Sequence, residues 1–207
     1  MRPLLTSCLA LLAMMLVACD DDGSGTTVDT FDRRPMLVGV ADVLVRPGYA
    51  AATARAEDVA RRVRSLNADL TEADVIGLRG AVDSLTAAWQ AVVLYDFGPA
   101  DGPLGSLAEN IATFPVDSQG VEAFVAAGDT SFANFRRDTR GLATLDYLLA
   151  RGSANDVRSA LSGTAGAGRR AYLAAVANAI YAELLVVLTA WNGTYRDQFV
   201  SRTGTDA

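Results

Sequence analysis

The chain has no histidine, and all 18 of its basic residues are arginine, so lysine is absent too. Both cysteines, Cys8 and Cys19, fall within the first 19 residues. These absences remove whole classes of chemistry. Neither a Ser-His-Asp triad nor a Cys-His pair can be built without imidazole, and without an amine there is no Ser-Lys dyad or Schiff base. A phosphate-binding loop of the GxxxxGK[ST] type is missing its lysine. Zinc held by His or Cys is excluded over the body of the chain. What is left for chemistry is carboxylate, Tyr, Ser/Thr, Asn/Gln, Arg and backbone. Such a set suits a hard cation held through oxygen, carboxylate acid–base work, or no catalysis at all.

The two cysteines frame the N-terminal segment. After Met1-Arg2-Pro3 an apolar run extends from Leu4 to Val17, about 14 residues, shorter than the roughly 20 that span a bilayer as a helix. It closes on Leu16-Val17-Ala18-Cys19, small residues before a cysteine, which reads as a bacterial lipoprotein signal. The expectation is that residues 1–18 are removed and Cys19 becomes the acylated first residue. The protein would then sit in the cell envelope, at the periplasm or cell surface, held to a membrane by acyl chains. Residues 19–34, rich in Asp, Gly, Ser and Thr, read as a flexible tether, and a helical domain is expected over 35–204. The triplet Asp20-Asp21-Asp22 resembles the acidic sorting signals of some bacterial lipoproteins.

Loss of Arg2 takes the formal net charge from −6 to about −7. With no basic run anywhere, nucleic acid is not an expected partner. The expected partners are a membrane, through the lipid anchor, and other envelope proteins. At 51% hydrophobic, the chain has ample material for one core.

From Pro35 onward the apolar spacing is helical. Leu37, Val40, Val43 and Leu44 begin a stripe that resumes at Val59, Val63 and Leu66, with a kink or break expected at Arg46-Pro47-Gly48. Thr71-Glu72-Ala73-Asp74 has capping-box character, and a helix is predicted from about Glu72 to Tyr95. Short helices are expected near Gly105–Ala112 and between Asp117 and Gly128. Longer ones are expected over about Ser131–Ala150 and Arg169–Val200, with another cap at Ser153-Ala154-Asn155-Asp156. No segment alternates with period two. The predicted class is all-α, an up-down bundle of about four principal helices plus short ones. Ala171–Trp191 carries a single charge, Glu183, and is long enough to span a membrane; its other reading is the central helix of the bundle.

Five separated segments carry a family resemblance. Asp42-Val43-Leu44-Val45-Arg46-Pro47-Gly48-Tyr49, Ala88-Trp89-Gln90 with Phe97-Gly98-Pro99, and Phe114-Pro115-Val116-Asp117 occur in that order. Arg140-Gly141-Leu142-Ala143-Thr144-Leu145-Asp146-Tyr147-Leu148-Leu149 follows, then Arg169-Arg170-Ala171-Tyr172-Leu173 with Ala190-Trp191. Together they resemble the imelysin family, whose hallmark reads RGxHxxEYLL. That family consists largely of helical bacterial envelope proteins, often lipoproteins; some are called peptidases and others are associated with iron uptake. The resemblance implies a binding or scaffold component of the envelope, non-catalytic, linked to iron or metal acquisition. A metallopeptidase and a purely structural lipoprotein are the alternatives. Relative to typical members the chain resembles the first half of the architecture.

The hallmark itself is degenerate. Its histidine position is Ala143, its glutamate position is Asp146, and Gly141 keeps the glycine. Ala143 cannot ligate anything. Asp146 reads either as a remnant metal or substrate carboxylate or as an acid paired with an arginine. Asp96 and Glu183 are candidate partners if the bundle brings them to Asp146, and the ion such a cluster would take is hard: calcium, magnesium, manganese or ferric iron. Arg136, Arg137 and Arg140 read as a solvated face, with one of them available to Asp146. Gly141 either permits close helix approach or marks a helix break. No catalytic residue is assigned.

The lipobox generates the first prediction. Cys19→Ala is expected to abolish fatty-acid labelling and to move the protein from the membrane to the soluble fraction; a variant still labelled and membrane-bound would refute the anchor.

Overall fold

The computed structural model describes residues 31–102, 105–133 and 136–202. The signal segment, Cys19 and the tether up to residue 30 lie outside the described residues. Arg33–Ala207 makes one compact unit.

The first helical stretch runs on without a break where a kink or break was expected. Helix α1 (Arg34–Gly39) runs into a π-helical turn (Val40–Val45) and on into α2 (Arg46–Ser65). The Arg46 N–H donates to the carbonyl of Ala41, five residues back. Pro47 has no N–H and its ring presses on the carbonyl four residues earlier, so a wider turn just ahead of it accommodates the ring without ending the helix. Gly48 meets a different need: a Cβ there would lie 2.6 Å from Cγ1 of Val92, which is fully buried.

Helix α3 (Glu72–Gln90) opens on the predicted capping box, with Thr71 Oγ1 accepting from the Asp74 N–H and Asp74 accepting from the Thr71 N–H. It stops five residues before the predicted Tyr95, which instead ends a 3-10 turn, Val93–Tyr95. A second 3-10 turn, Gly98–Ala100, leads to a two-residue antiparallel pair, β1 (Asp101–Gly102) and β2 (Gly105–Ser106), with Asp101 opposite Ser106. Helix α4 (Leu107–Ala112) has its own capping box from Ser106 and Glu109. Asp117 caps α5 (Ser118–Ala127), and left-handed Gly128 closes it, as expected.

The helix predicted over Ser131–Ala150 forms only in its second half, as α6 (Leu142–Ala150), after a 3-10 turn at Arg137–Thr139. Gly141 is the reason. Its φ is +86°, and a Cβ there would come within 2.4 Å of the Ile111 carbonyl oxygen. The glycine therefore does both things foreseen for it, starting the helix and letting α6 approach the backbone of α4. Ser153 and Asp156 then cap α7 (Ala154–Leu161). The last predicted helix is divided. Helix α8 (Ala167–Asn192) ends at Gly193, whose N–H donates to the carbonyls of Thr189 and Ala190, and α9 (Tyr195–Ser201) turns away. This turn puts Trp191, Tyr195 and Phe199 around Phe97, with ring centroids 4.9–5.9 Å apart.

The core is built on α8. It packs most extensively on α2, and also on α5, α6, α7 and α9, while α3 covers the other flank of α2. Tyr172, Leu173, Val176, Ala177, Ile180, Leu184, Val187 and Trp191 line its buried face. Each such large apolar side chain contributes about 1.5–3 kcal/mol by leaving water. By length and composition α8 is long and apolar enough to cross a membrane. In this fold it serves as the central bundle helix.

Two glycines give a paired stability test. Gly141→Ala is expected to cost about 3 kcal/mol, from the positive φ and the contact with backbone. Gly80→Ala, inside α3 with open space around it, is expected to stabilise by about 0.5–1 kcal/mol. Urea unfolding midpoints of the two variants should move in opposite directions.

Candidate functional site

The polar centre of the domain grows from the segment before α6. The 3-10 turn at Arg137–Thr139 and the extended backbone of Arg140 send two guanidinium groups inward. Arg140 is buried. Its Nη2 donates to Oδ1 of Asn110 at 3.1 Å, and Nε of Arg137 donates to the same oxygen at 3.1 Å. Arg137 also lies 3.6 Å from Glu109, and Arg140 Nη1 is 4.0 Å from Oε1 of Glu183. The arginines read as a solvated face are thus split. Arg140 is an interior residue, whereas Arg136 is an exposed one that binds Asp138 at 2.9 Å and also Asp117. Beneath them the Tyr172 hydroxyl donates to the carbonyl of Thr139 at 2.6 Å, tying the turn to α8.

Glu183 stands at the mouth of a cavity of about 150 Å³, with Asn110, Leu107, Val186, Val187 and the β1–β2 glycines as walls. One carboxylate oxygen faces Arg140; the other, Oε2, is buried and has no hydrogen-bond partner among the described residues. Burial raises the Glu183 pKa above the ordinary glutamate value, and the charge of Arg140 offsets only part of this. The arrangement is an anchored arginine and a poorly solvated acid beside a small, mostly apolar space.

The other two candidate carboxylates lie elsewhere. Asp146 is exposed on α6 and borders a different cavity, of about 160 Å³, with Arg79 and Asp83. Arg79 does not serve it: Nε and Nη2 donate to the carbonyls of Leu149 and Gly152, at 2.7 and 3.1 Å, closing the end of α6. Asp96 accepts from the Ala108 N–H at 3.2 Å and so anchors the first turn of α4. Ala143 is half-buried on α6, and Gly141 is buried against α4. Among the described residues, no three acidic side chains come close enough to share a metal ion. Along its cavity Asp146 has one further acid, Asp83, and the Arg79 guanidinium, and Ala143, three residues earlier on α6, carries only a methyl group, so the described residues there supply two carboxylates and no nitrogen or sulfur donor. Trp89 and Trp191 are both buried and belong to the core.

Sequence reasoning passed over Asn110, the hub that receives both arginines. No local signal marks it. The capping box of Ser106 and Glu109, which fixes the helix carrying it, was readable from Ser-x-x-Glu. Glu122 was passed over as well. It accepts from Tyr147 at 2.8 Å and pairs with Arg169, linking α5, α6 and α8.

Glu183 gives a pH prediction. Its raised folded-state pKa means that the folded protein binds the proton more tightly than the unfolded chain, so its contribution to stability falls as pH rises from the ordinary glutamate value through the folded one. Glu183→Gln should flatten that limb of the melting temperature against pH; an unchanged slope would show that another group carries it.

The family model described as peptidase M75, imelysin, matches residues 45–207. Among solved structures, an imelysin-like protein from Psychrobacter arcticum 273-4 has the same fold with a TM-score of 0.63 at 18% identity, over 83% of this chain. The chain spans 55% of that protein's length. None of the curated proteins compared matches it. With the family model spanning its domain from the π-helical turn onward, the chain belongs to the imelysin family.

Proposed function

We propose that this protein is a lipid-anchored component of the bacterial cell envelope that binds or scaffolds other molecules without catalysing a reaction, in a system linked to iron or metal acquisition. The observation that carries the reading is the hallmark segment. Ala143 stands at its histidine position, Asp146 is exposed with only Asp83 as a second acid along its cavity, and among the described residues no three acids gather; the Arg140-Asn110-Glu183 cluster beside its own cavity supports a binding role. Zinc peptidase chemistry needs nitrogen, sulfur or carboxylate ligands gathered around one open position, and this chain supplies no nitrogen or sulfur ligand there. The lipobox at Cys19 supports the envelope location, and the acidic charge argues against nucleic acid. The protein's role in metal acquisition is then to hold partner proteins at the membrane.

Purified mature protein tests the reading. It is expected to show no chelator-sensitive peptide cleavage and to keep only sub-stoichiometric metal after dialysis. Cleavage that EDTA removes, and that Asp146→Ala also removes, would establish the metallopeptidase instead.

A further inference from the structure

The outward face of the first helical stretch changes character part-way along. In the later part its exposed positions include Arg55, Glu57, Arg61, Arg62 and Arg64, as befits a helix flank in water. From Met36 to Ala51 they are Met36, Val43, Leu44, Pro47, Ala50 and Ala51, with no charge among them. Val43 is 69% exposed, Met36 51% and Leu44 49%. The two charged side chains of this segment are turned aside. Asp42 accepts from Arg196 of α9 at 2.6 Å and from Arg46 at 3.0 Å, and Arg46 also donates to Asn192 at 3.1 Å. These bonds hold the Asp42 carboxyl down at about 2, so it stays ionised and committed to them. What faces outward is an uncharged, largely apolar strip about 24 Å long. Contiguous exposure of this kind marks a contact surface.

We propose that this strip rests on the surface of a zwitterionic phospholipid membrane and orients the domain there. The inference rests on acylation of Cys19. About 14 residues separate Cys19 from Arg33. A chain of that length spans at most about 50 Å even when fully extended. The start of α1 is therefore held within the reach of the bilayer, where the second contact becomes an intramolecular event. A second copy of the chain is the weaker occupant, because each copy carries a net charge near −7 and repels its like. Anionic lipid is disfavoured for the same reason. The acyl chains supply attachment, and the strip supplies orientation.

The acylated mature protein, with Cys8 removed along with residues 1–18 and Cys19 modified, has no free thiol, so Val43→Cys accepts an environment-sensitive fluorophore at one position. Glu57→Cys, on the charged part of the same stretch, is the comparison. Both are reconstituted in phosphatidylcholine–phosphatidylethanolamine vesicles, with a nitroxide quencher on the lipid near the headgroups. Quenching at 43 is expected to be several-fold stronger than at 57 and insensitive to added salt, since no charge lies in the contact. Equal, weak quenching at both positions would overturn the inference. A label at 43 shielded from water but not quenched by lipid would also overturn it, and would assign the strip to a second copy. Flotation of the vesicles with and without Cys19→Ala reads the anchor separately. If the protein does not float through Cys19, the anchor fails and takes the inference with it; if it floats and 43 stays wet, only the inference fails.

Discussion

Everything else in this domain depends on the packing of α2 against α8. Ala52, Ala56 and Ala60 are fully buried at four-residue intervals along α2. Small side chains on one helix let the backbone of its neighbour approach, and α8 answers with larger ones, among them Leu173, Ile180 and Leu184. Once this pair is formed, α3 closes one flank and α5, α6 and α7 dock on the exposed sides of α8 and α3. The short helices have too few residues to be stable alone. They exist because this pair gives each of them a surface to cover.

The same pair sets where polarity can enter. Glu183 projects from α8 toward Arg140, and Arg140 and Arg137 meet at Asn110 on α4. The cluster joins three segments distant in sequence at the point where Gly141 brings backbone against backbone. Burying an arginine is costly unless it is hydrogen-bonded and compensated. Asn110 and Glu183 provide that, and the acid bears the cost as a raised pKa. Ala143 and Asp146 lie further on along α6, outside this cluster, and Asp146 is exposed.

Much of the fold was legible because its signals are local. The caps at Thr71, Asp117 and Ser153 and the stop at Gly128 each act within four residues, and all stand where the sequence placed them. The misreadings share one cause. At Pro47 a kink or a break was expected; the helix does not break, because a π turn absorbs the proline, and that choice is made by the contacts of the whole stretch. Helical spacing continues before Gly141 and beyond Gly193, yet the chain turns at both, because close backbone approach at one and an aromatic cluster at the other outweigh propensity.

The sequence by itself determined the all-helical class, the position of most caps, and the chemistry that is out of reach. Periodicity and capping are short-range, and an absent residue type stays absent in any fold. Tertiary structure decided which charges are interior and which carboxylates meet. Arg140 and Asp146 look alike in sequence, two charged residues flanking one motif, yet one is buried and the other is not. Asp42 finds Arg196 across 154 residues of chain. Nothing within a few residues of either encodes that meeting, because it follows from the angle at which α9 leaves α8. Such pairings are set by the geometry of packed helices, and only the folded molecule fixes that geometry.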